Sequence, residues 1–182
     1  YRPVIGDFKF GGVIFYIDES GEHGLVCAVT DQSTGAEWGC QGTTIDGADG
    51  TAIGTGAQNT LDILAGCTTV GTAAYICDTL TLGGFNDWFL PSKDELNEMY
   101  LNKTILNATI IENYGTEFMD NEYWNSTEAT HPIGANAQLF DSGAQTLCGK
   151  SSTLYVRAIR HFNNFLINKR TFLYRLVLLY LF

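Results

Sequence analysis

His23 and the adjacent Glu22 carry the side chains best suited to acid–base catalysis in this sequence. A catalytic base also needs a positioned partner and a nucleophile, and no nucleophile lies in a recognisable elbow or triad context. We therefore predict that this pair stabilises a turn and that the protein is not an enzyme.

Oxygen ligands suited to calcium occur in the segment Asp46-Gly47-Ala48-Asp49-Gly50. The segment lacks the spacing and the terminal glutamate of an EF-hand loop, so a plain glycine-rich loop is favoured over a calcium site. The five cysteines form no CxxC pair and there are only three histidines, which argues against zinc. We expect no metal and no cofactor.

Three triplets match the N-glycosylation pattern, and they begin at Asn102, Asn107 and Asn125. Asparagine-rich surfaces often produce such triplets, and in a bacterial chain they usually arise by chance. We favour unmodified side chains at all three positions.

The charge of the chain limits its partners. The net charge is −10, which disfavours nucleic acid because phosphate binding needs a basic face. Residues 1–149 hold all 20 acids and four bases, whereas residues 150–182 hold six bases. Hydrophobic residues make up 45% and charged residues 16%, as in a folded domain. No run of about 18 apolar residues is present, so we expect no membrane span.

Local patterns predict a mixture of strands and helices. Residues 13–17 and 25–29 predict a strand–turn–strand unit, and residues 31–60 predict a long loop. Helices are predicted over residues 73–80 and 93–101, the second because Ser92 and Glu95 form a capping box. Alternating or aromatic runs predict further strands at 123–124, 137–140 and 154–160.

The C-terminal segment, residues 163–182, is apolar, strand-prone and basic, and we predict that it leaves a domain formed by residues 1–162. Such a segment needs cover, from its own sheet, a membrane surface or a neighbouring subunit. We favour donation to another copy, because main-chain groups and apolar side chains then both find partners. The predicted assembly strand includes Phe172, Tyr174, Arg175, Leu176, Leu178 and Tyr180.

A sugar-binding surface is also considered, within residues 125–153. These residues lie in loops between predicted strands and vary in polarity. The acidic body predicts poor binding of sulfated polyanions unless the basic tail contributes. The predicted ligand residues are His131, Gln138, Asp141, Gln145 and Lys150.

Six ordered segments resemble the C-terminal domain of the Legionella collagen-like protein family, the Lcl C-terminal domain family. They are GGVIFY at 11–16, GEHGLV at 21–26, WGC at 38–40, DWFLPSKDEL at 87–96, YWNSTE at 123–128 and YVRAIR at 155–160.

This resemblance implies an α+β fold that is C-type-lectin-like, with two short helices and short twisted antiparallel strands, to which the tail adds a C-terminal apolar strand. It implies an extracellular or cell-surface location, members that bind sulfated glycans, and no known catalysis. It also implies a disulfide between Cys40 and Cys67, with Cys77 a buried thiol.

The function predicted from these observations is that of a structural subunit of an extracellular fibre or pilus-like filament, assembled head to tail by strand insertion. A secreted glycan-binding adhesin domain is the first alternative, and an enzyme is the second. The expected partners are copies of the same chain and surface glycans.

Overall fold

The computed structural model describes residues 1–164 as an α+β domain. The predicted assembly strand therefore lies outside the described residues. The helices are α1 (Gly56–Gly66), α2 (Ala73–Asp78), α3 (Lys93–Leu101) and α4 (Lys103–Glu112). The strands are β1 (Phe8–Lys9), β2 (Gly12–Ile17), β3 (His23–Cys27), β4 (Ser33–Glu37), β5 (Glu122–Glu128), β6 (Gly134–Leu139), β7 (Gln145–Gly149), β8 (Thr153–Val156) and β9 (Ile159–Asn163).

The strands form two sheets, with orders β1-β2-β3-β9 and β4-β8-β5-β6-β7. All strand pairs are antiparallel except β5 and β8, which are parallel. The predicted strand–turn–strand unit is confirmed as β2 and β3, where the Asp18 N–H donates to the His23 carbonyl at 2.9 Å.

The single strand predicted over residues 154–160 is wrong, because the chain passes there from the second sheet to the first. The cause is Arg157, whose buried side chain lies between β8 and β9. Its guanidinium donates to the Asp31 carboxylate at 2.7 Å and to the Ala28 carbonyl at 3.0 Å. These bonds stop β8 and let β9 begin at Ile159, beside β3.

Two of the four helices were not expected. The helix predicted over residues 93–101 is confirmed as α3, and its capping box between Ser92 and Glu95 is present. The expectation of two helices is wrong, because α1 and α4 also form. α1 begins without a side-chain cap and buries polar side chains, and α4 follows α3 after Asn102 alone. Neither has the local signals that reveal a helix start.

The long loop predicted over residues 31–60 is only partly a loop. It contains β4 and the start of α1, so the irregular segment runs from residue 38 to residue 55. β4 pairs with β8, and this pairing supplies the backbone partners that the glycine-rich sequence did not suggest.

The core has two apolar clusters. One contains the three tryptophans, Trp38, Trp88 and Trp124, and the other packs α3 and α4 against β2. Each buried indole N–H has a partner: Trp38 donates to the Asn125 carbonyl at 2.9 Å, and Trp124 donates to the Ala36 carbonyl at 2.8 Å. These bonds tie β4 and the segment after it to β5. Among the described residues, no helix is long and apolar enough to cross a membrane.

Candidate functional site

An open cleft of about 540 Å³ lies between the irregular segment after β4 and the end of β5. Its walls combine five kinds of group. The hydroxyls belong to Thr44, Thr51, Thr127 and Thr130, the carboxylates to Asp46, Asp49 and Glu128, the ammonium to Lys93, the amide to Asn136, and the apolar side chains to Ile45, Ala129 and Leu147.

A buried ion pair fixes one end of the cleft. Glu128, at the end of β5, accepts a hydrogen bond from Lys150, and both side chains are almost fully buried. The Glu128 carboxylate also accepts the Ile45 N–H at 2.9 and 3.1 Å, and Lys150 donates to the Thr43 carbonyl at 2.7 Å. The Lys150 ammonium lies 4.5 Å from the centre of the Trp38 ring. The pair therefore holds the loop backbone at residues 43–45 from inside.

A second group of polar side chains fixes the middle of the loop. The Gly50 carbonyl accepts bonds from Asn59 of α1 at 2.7 Å and from the Thr127 hydroxyl at 2.8 Å. The Thr127 hydroxyl oxygen in turn accepts the Lys93 N–H at 3.0 Å. Helix α1 and strand β5 thus bind the same loop carbonyl, and Thr127 of β5 also binds the first residue of α3. Lys93 and Thr127 both line the cleft.

Glu95 anchors the far end of the loop. Its carboxylate accepts the Ser92 N–H at 2.7 Å, which completes the cap of α3, and the Gly54 N–H at 2.8 Å, just ahead of α1. Burial raises the pKa of the Glu95 carboxyl, and the N–H groups that it accepts act in the opposite direction. One capping residue therefore fixes both a helix start and the loop.

The family of the chain follows from its sequence over this region. The model of the Lcl C-terminal domain matches residues 27–160, which include every residue that lines the cleft. The chain belongs to the Lcl C-terminal domain family. This family is associated with bacterial surface proteins. The search of curated proteins found no match.

The ligand residues predicted for this Lcl C-terminal domain do not form one site. Lys150 and Gln138 are buried, so the prediction that they contact a ligand is wrong. Lys150 belongs to the ion pair, and Gln138 donates to Asn97 at 2.8 Å and to the Gly143 carbonyl at 3.0 Å. Both side chains were predicted to be exposed because polar side chains mostly lie at the surface.

The other three predicted ligand residues are exposed but separated. His131 lies before β6, whereas Asp141 and Gln145 lie at the β6–β7 turn, at the other end of this hairpin. The hairpin strands separate these ends by roughly 17 Å. The cleft instead uses Thr127, Thr130 and Asn136 from the predicted 125–153 segment.

The opposite wall of the cleft was not assigned to a glycan site from the sequence. Asp46 and Asp49 were considered only as calcium ligands, and Thr44, Thr51 and Lys93 were not considered. The available signal was the long glycine-rich loop followed by a capped helix, which suggests a loop held in place. Among residues 1–164, no group of three His, Cys, Asp or Glu side chains could hold a metal ion.

The three glycosylation triplets have different environments. Asn125 is almost fully buried in β5, so it is wrong as an acceptor for a glycan. The Asn102 amide donates to the Glu98 carbonyl at 3.0 Å, and the Asn107 side-chain oxygen accepts the Phe118 N–H at 3.0 Å. Both half-buried amides thus have structural roles.

His23 lies on the turn between β2 and β3. Its ring nitrogen is 3.3 Å from the Asp18 carboxylate and 3.2 Å from the Ser20 hydroxyl, so Asp18 rather than Glu22 is the carboxylate beside it. The Ser20 hydroxyl and His23 lower the pKa of Asp18, with the hydroxyl the larger cause. The arrangement matches the predicted turn-stabilising role.

The cysteines divide into a bonded pair and three thiols. Cys40 and Cys67 form a disulfide, which links the segment after β4 to the end of α1. Cys77 is a buried thiol, as the resemblance implies, and burial raises its pKa. Cys27 is also buried, and Cys148 is partly exposed.

Proposed function

We propose that this domain binds uncharged glycans at the cell exterior through the cleft between residues 44–51 and 127–130, without catalysing their reaction. The observation that carries the proposal is the combination of an open polar cleft with a loop whose backbone is anchored from inside. The association of the family with bacterial surface proteins supports the location.

The groups on the cleft walls suit a saccharide. The exposed carboxylates of Asp46 and Asp49 accept hydrogen bonds from sugar hydroxyls, and such charge-assisted bonds are stronger than neutral ones. Leu147, which is exposed, and the half-buried Ala129 supply apolar surface for the C–H face of a sugar ring. Because the loop is already anchored, binding does not have to order it, and the entropic cost of association is lower.

The charge of the domain disfavours sulfated glycans. The described residues contain 20 acids and seven bases, which gives a net charge of −13. Among the described residues that line the cleft, Lys93 is the only cation, and it faces the two exposed carboxylates of Asp46 and Asp49, since Glu128 is already paired with Lys150. A polyanion therefore meets repulsion across the whole face.

A glycan array with the labelled full-length chain tests the proposal. We expect binding to uncharged saccharides and little signal on sulfated ones. Asp46→Asn and Asp49→Asn should each weaken binding about tenfold, because each removes a charged acceptor. Asp141→Asn, at the distant hairpin turn, is the matched control and should bind as the parent does.

Two results would contradict the proposal. One is equal binding by the parent and both cleft variants, and the other is a preference for sulfated glycans. Incubation of the bound saccharides followed by mass spectrometry tests the absence of catalysis. Cleavage products that disappear in the cleft variants would show an enzyme instead.

A second candidate function is that of a fibre subunit assembled by donation of the C-terminal strand. The observation that favours it is charge and composition: residues 165–182 are apolar, carry three bases and no acid, and follow a domain of net charge −13. Fibres seen by electron microscopy of the purified chain would support this function, and a strictly monomeric chain would exclude it.

A further inference from the structure

Among residues 1–164, three of the four sheet edges are protected against added strands. β1 has two residues, which is too short to receive another strand. β4 has a register shift between Ser33 and Ala36, and such irregularities disrupt pairing at an edge. β9 is partly covered, because Ile159 exchanges backbone hydrogen bonds with Phe89 at 2.8 and 3.0 Å.

β7 is the fourth edge, and it has none of these protections. It pairs with β6 through five consecutive residues without a register shift, and its sequence, Gln-Thr-Leu-Cys-Gly, contains no charge and no proline. Edge strands of natural proteins normally carry at least one such device. A regular, uncharged edge of five residues is therefore suited to pairing with another chain.

The outward backbone groups of β7 can be assigned from the ladder. Lys150 N–H donates to the Ile133 carbonyl, and Leu139 N–H donates to the Ala144 carbonyl, each at 2.9 Å. Because bonding alternates along an antiparallel strand, the even-numbered residues of β7 face β6 and Gln145, Leu147 and Gly149 face away. Among the hydrogen bonds of the described residues, none involves the backbone N–H or carbonyl of Leu147.

The side chains beside this edge are apolar. Leu147 is 68% exposed and Ile133 is 49% exposed, and together they line a hollow of about 310 Å³ beside β7. Leu147 also lines the polar cleft, so the acids Asp46 and Asp49 lie on its other side. The edge thus offers main-chain partners, apolar contact and negative charge to one incoming strand.

We propose that β7 accepts residues 165–182 of a second copy as an added strand, and this inference rests on the second candidate function. The segment supplies what the edge needs: strand-prone apolar residues for Leu147 and Ile133, and Lys169, Arg170 and Arg175 for the acids. Opposite charges at the rim mainly fix the orientation and speed the encounter.

The C-terminal segment is long enough to reach a second copy. β7 spans roughly 17 Å, whereas the apolar run from Thr171 to Phe182 extends to about 40 Å as a strand. A hollow of about 280 Å³ lined by Tyr16, Leu25 and Phe162 adjoins Asn163, where β9 ends. In the donor chain, this hollow can bury the first part of residues 165–182. The rest of the segment then reaches β7 of the neighbouring copy.

Substitutions at Leu147 in the full-length chain test the acceptor. Leu147→Lys adds a charge to the edge, and Leu147→Pro removes an outward N–H while leaving the β6 ladder intact. We expect the parent to form large species in size-exclusion chromatography with light scattering, and both variants to elute as monomers with an unchanged melting temperature. Leu61→Lys, at a 55% exposed leucine on α1, is the matched control and should assemble.

The donor is tested by Leu176→Asp together with Leu178→Asp, which should also abolish assembly. If Leu147→Lys and Leu147→Pro assemble as the parent does, the acceptor is wrong although fibre assembly stands. If the parent is monomeric, both the β7 acceptor and fibre assembly are wrong. If only the Leu147 variants lose assembly, β7 pairs with something other than the C-terminal segment and the proposed occupant is wrong. Glycan binding is expected to persist in the Leu61 and Leu176 variants. A loss of assembly can therefore be distinguished from a loss of glycan binding.

Discussion

Removal of Lys150 should destabilise the domain far more than removal of a surface charge. Lys150→Met keeps the length of the side chain beside Trp38 but deletes the charge that pairs with Glu128 and the bond to the Thr43 carbonyl. Among the described residues, the Ile45 N–H is then the remaining donor to the buried Glu128 carboxylate. Loss of one partner from a buried pair costs about 3–5 kcal/mol in the free energy of unfolding.

For a domain of this size, about 1 kcal/mol corresponds to about 2–4 °C, so the melting temperature should fall by about 6–20 °C. The assay is thermal or urea unfolding followed by circular dichroism. Glu128→Gln should have a similar effect, and the double variant should be about 1–3 kcal/mol more stable than the sum of the two changes predicts. Asp120→Asn, at an ion pair whose carboxylate is 72% exposed, is the control and should cost less than about 1 kcal/mol.

A Lys150→Met variant that loses less than about 1 kcal/mol would refute this reasoning, as would strictly additive single and double changes. Either result would mean that the pair does not hold the loop at residues 43–45. Hydrogen exchange at the Ile45 amide gives an independent measurement, because this amide should exchange faster in both single variants.

Three further predictions concern other parts of the domain. Replacing both Cys40 and Cys67 by serine should lower the free energy of unfolding by about 3 kcal/mol, measured by urea unfolding, and reduction of the parent should reproduce the effect. The Arg160 guanidinium lowers the pKa of Asp87, so this carboxylate stabilises the fold above about pH 4, and its contribution is lost as the pH falls through the folded pKa. The free energies of unfolding of the parent and Asp87→Asn should therefore converge in acid. A difference that stays constant with pH would argue against the ion pair. Burial raises the pKa of Cys27 to about 12, so a thiol reagent at pH 8 should leave Cys27 unmodified until the domain unfolds, and rapid labelling of the native protein would contradict its burial.

The parts of the fold that were predictable from the sequence have local causes. The hairpin of β2 and β3 follows from two apolar runs around a turn, and α3 follows from its capping box. α1 was not predictable in this way, because polar side chains on its buried face bind backbone groups elsewhere in the domain: Asn59 donates to the Gly50 carbonyl and Thr60 accepts the Leu90 N–H. α4 exposes Ile105 and Ile111 while it buries Leu106 and Ile110, so its apolar face is not distinct.

The candidate site was predictable only in outline for a related reason. Composition indicated a polar loop and argued against sulfated ligands, but the roles of individual side chains depend on contacts across the chain. Lys150 and Glu128 are separated by 22 positions and bind a loop more than 80 positions from Glu128. A buried charge becomes identifiable only when its partner is known, because isolated charged residues are expected at the surface.

The anchors of the cleft loop also separate two kinds of position. Every contact described above between residues 43–54 and the interior is made by the loop backbone, whereas the side chains at positions 44, 46, 49 and 51 point to the cleft without serving as anchors. Substitutions at these four positions therefore alter the recognition surface while the supporting fold persists. Under the proposed glycan-binding function, point mutations at these positions change the ligand preference, and a combinatorial library there offers a route to new binding proteins on an unchanged scaffold.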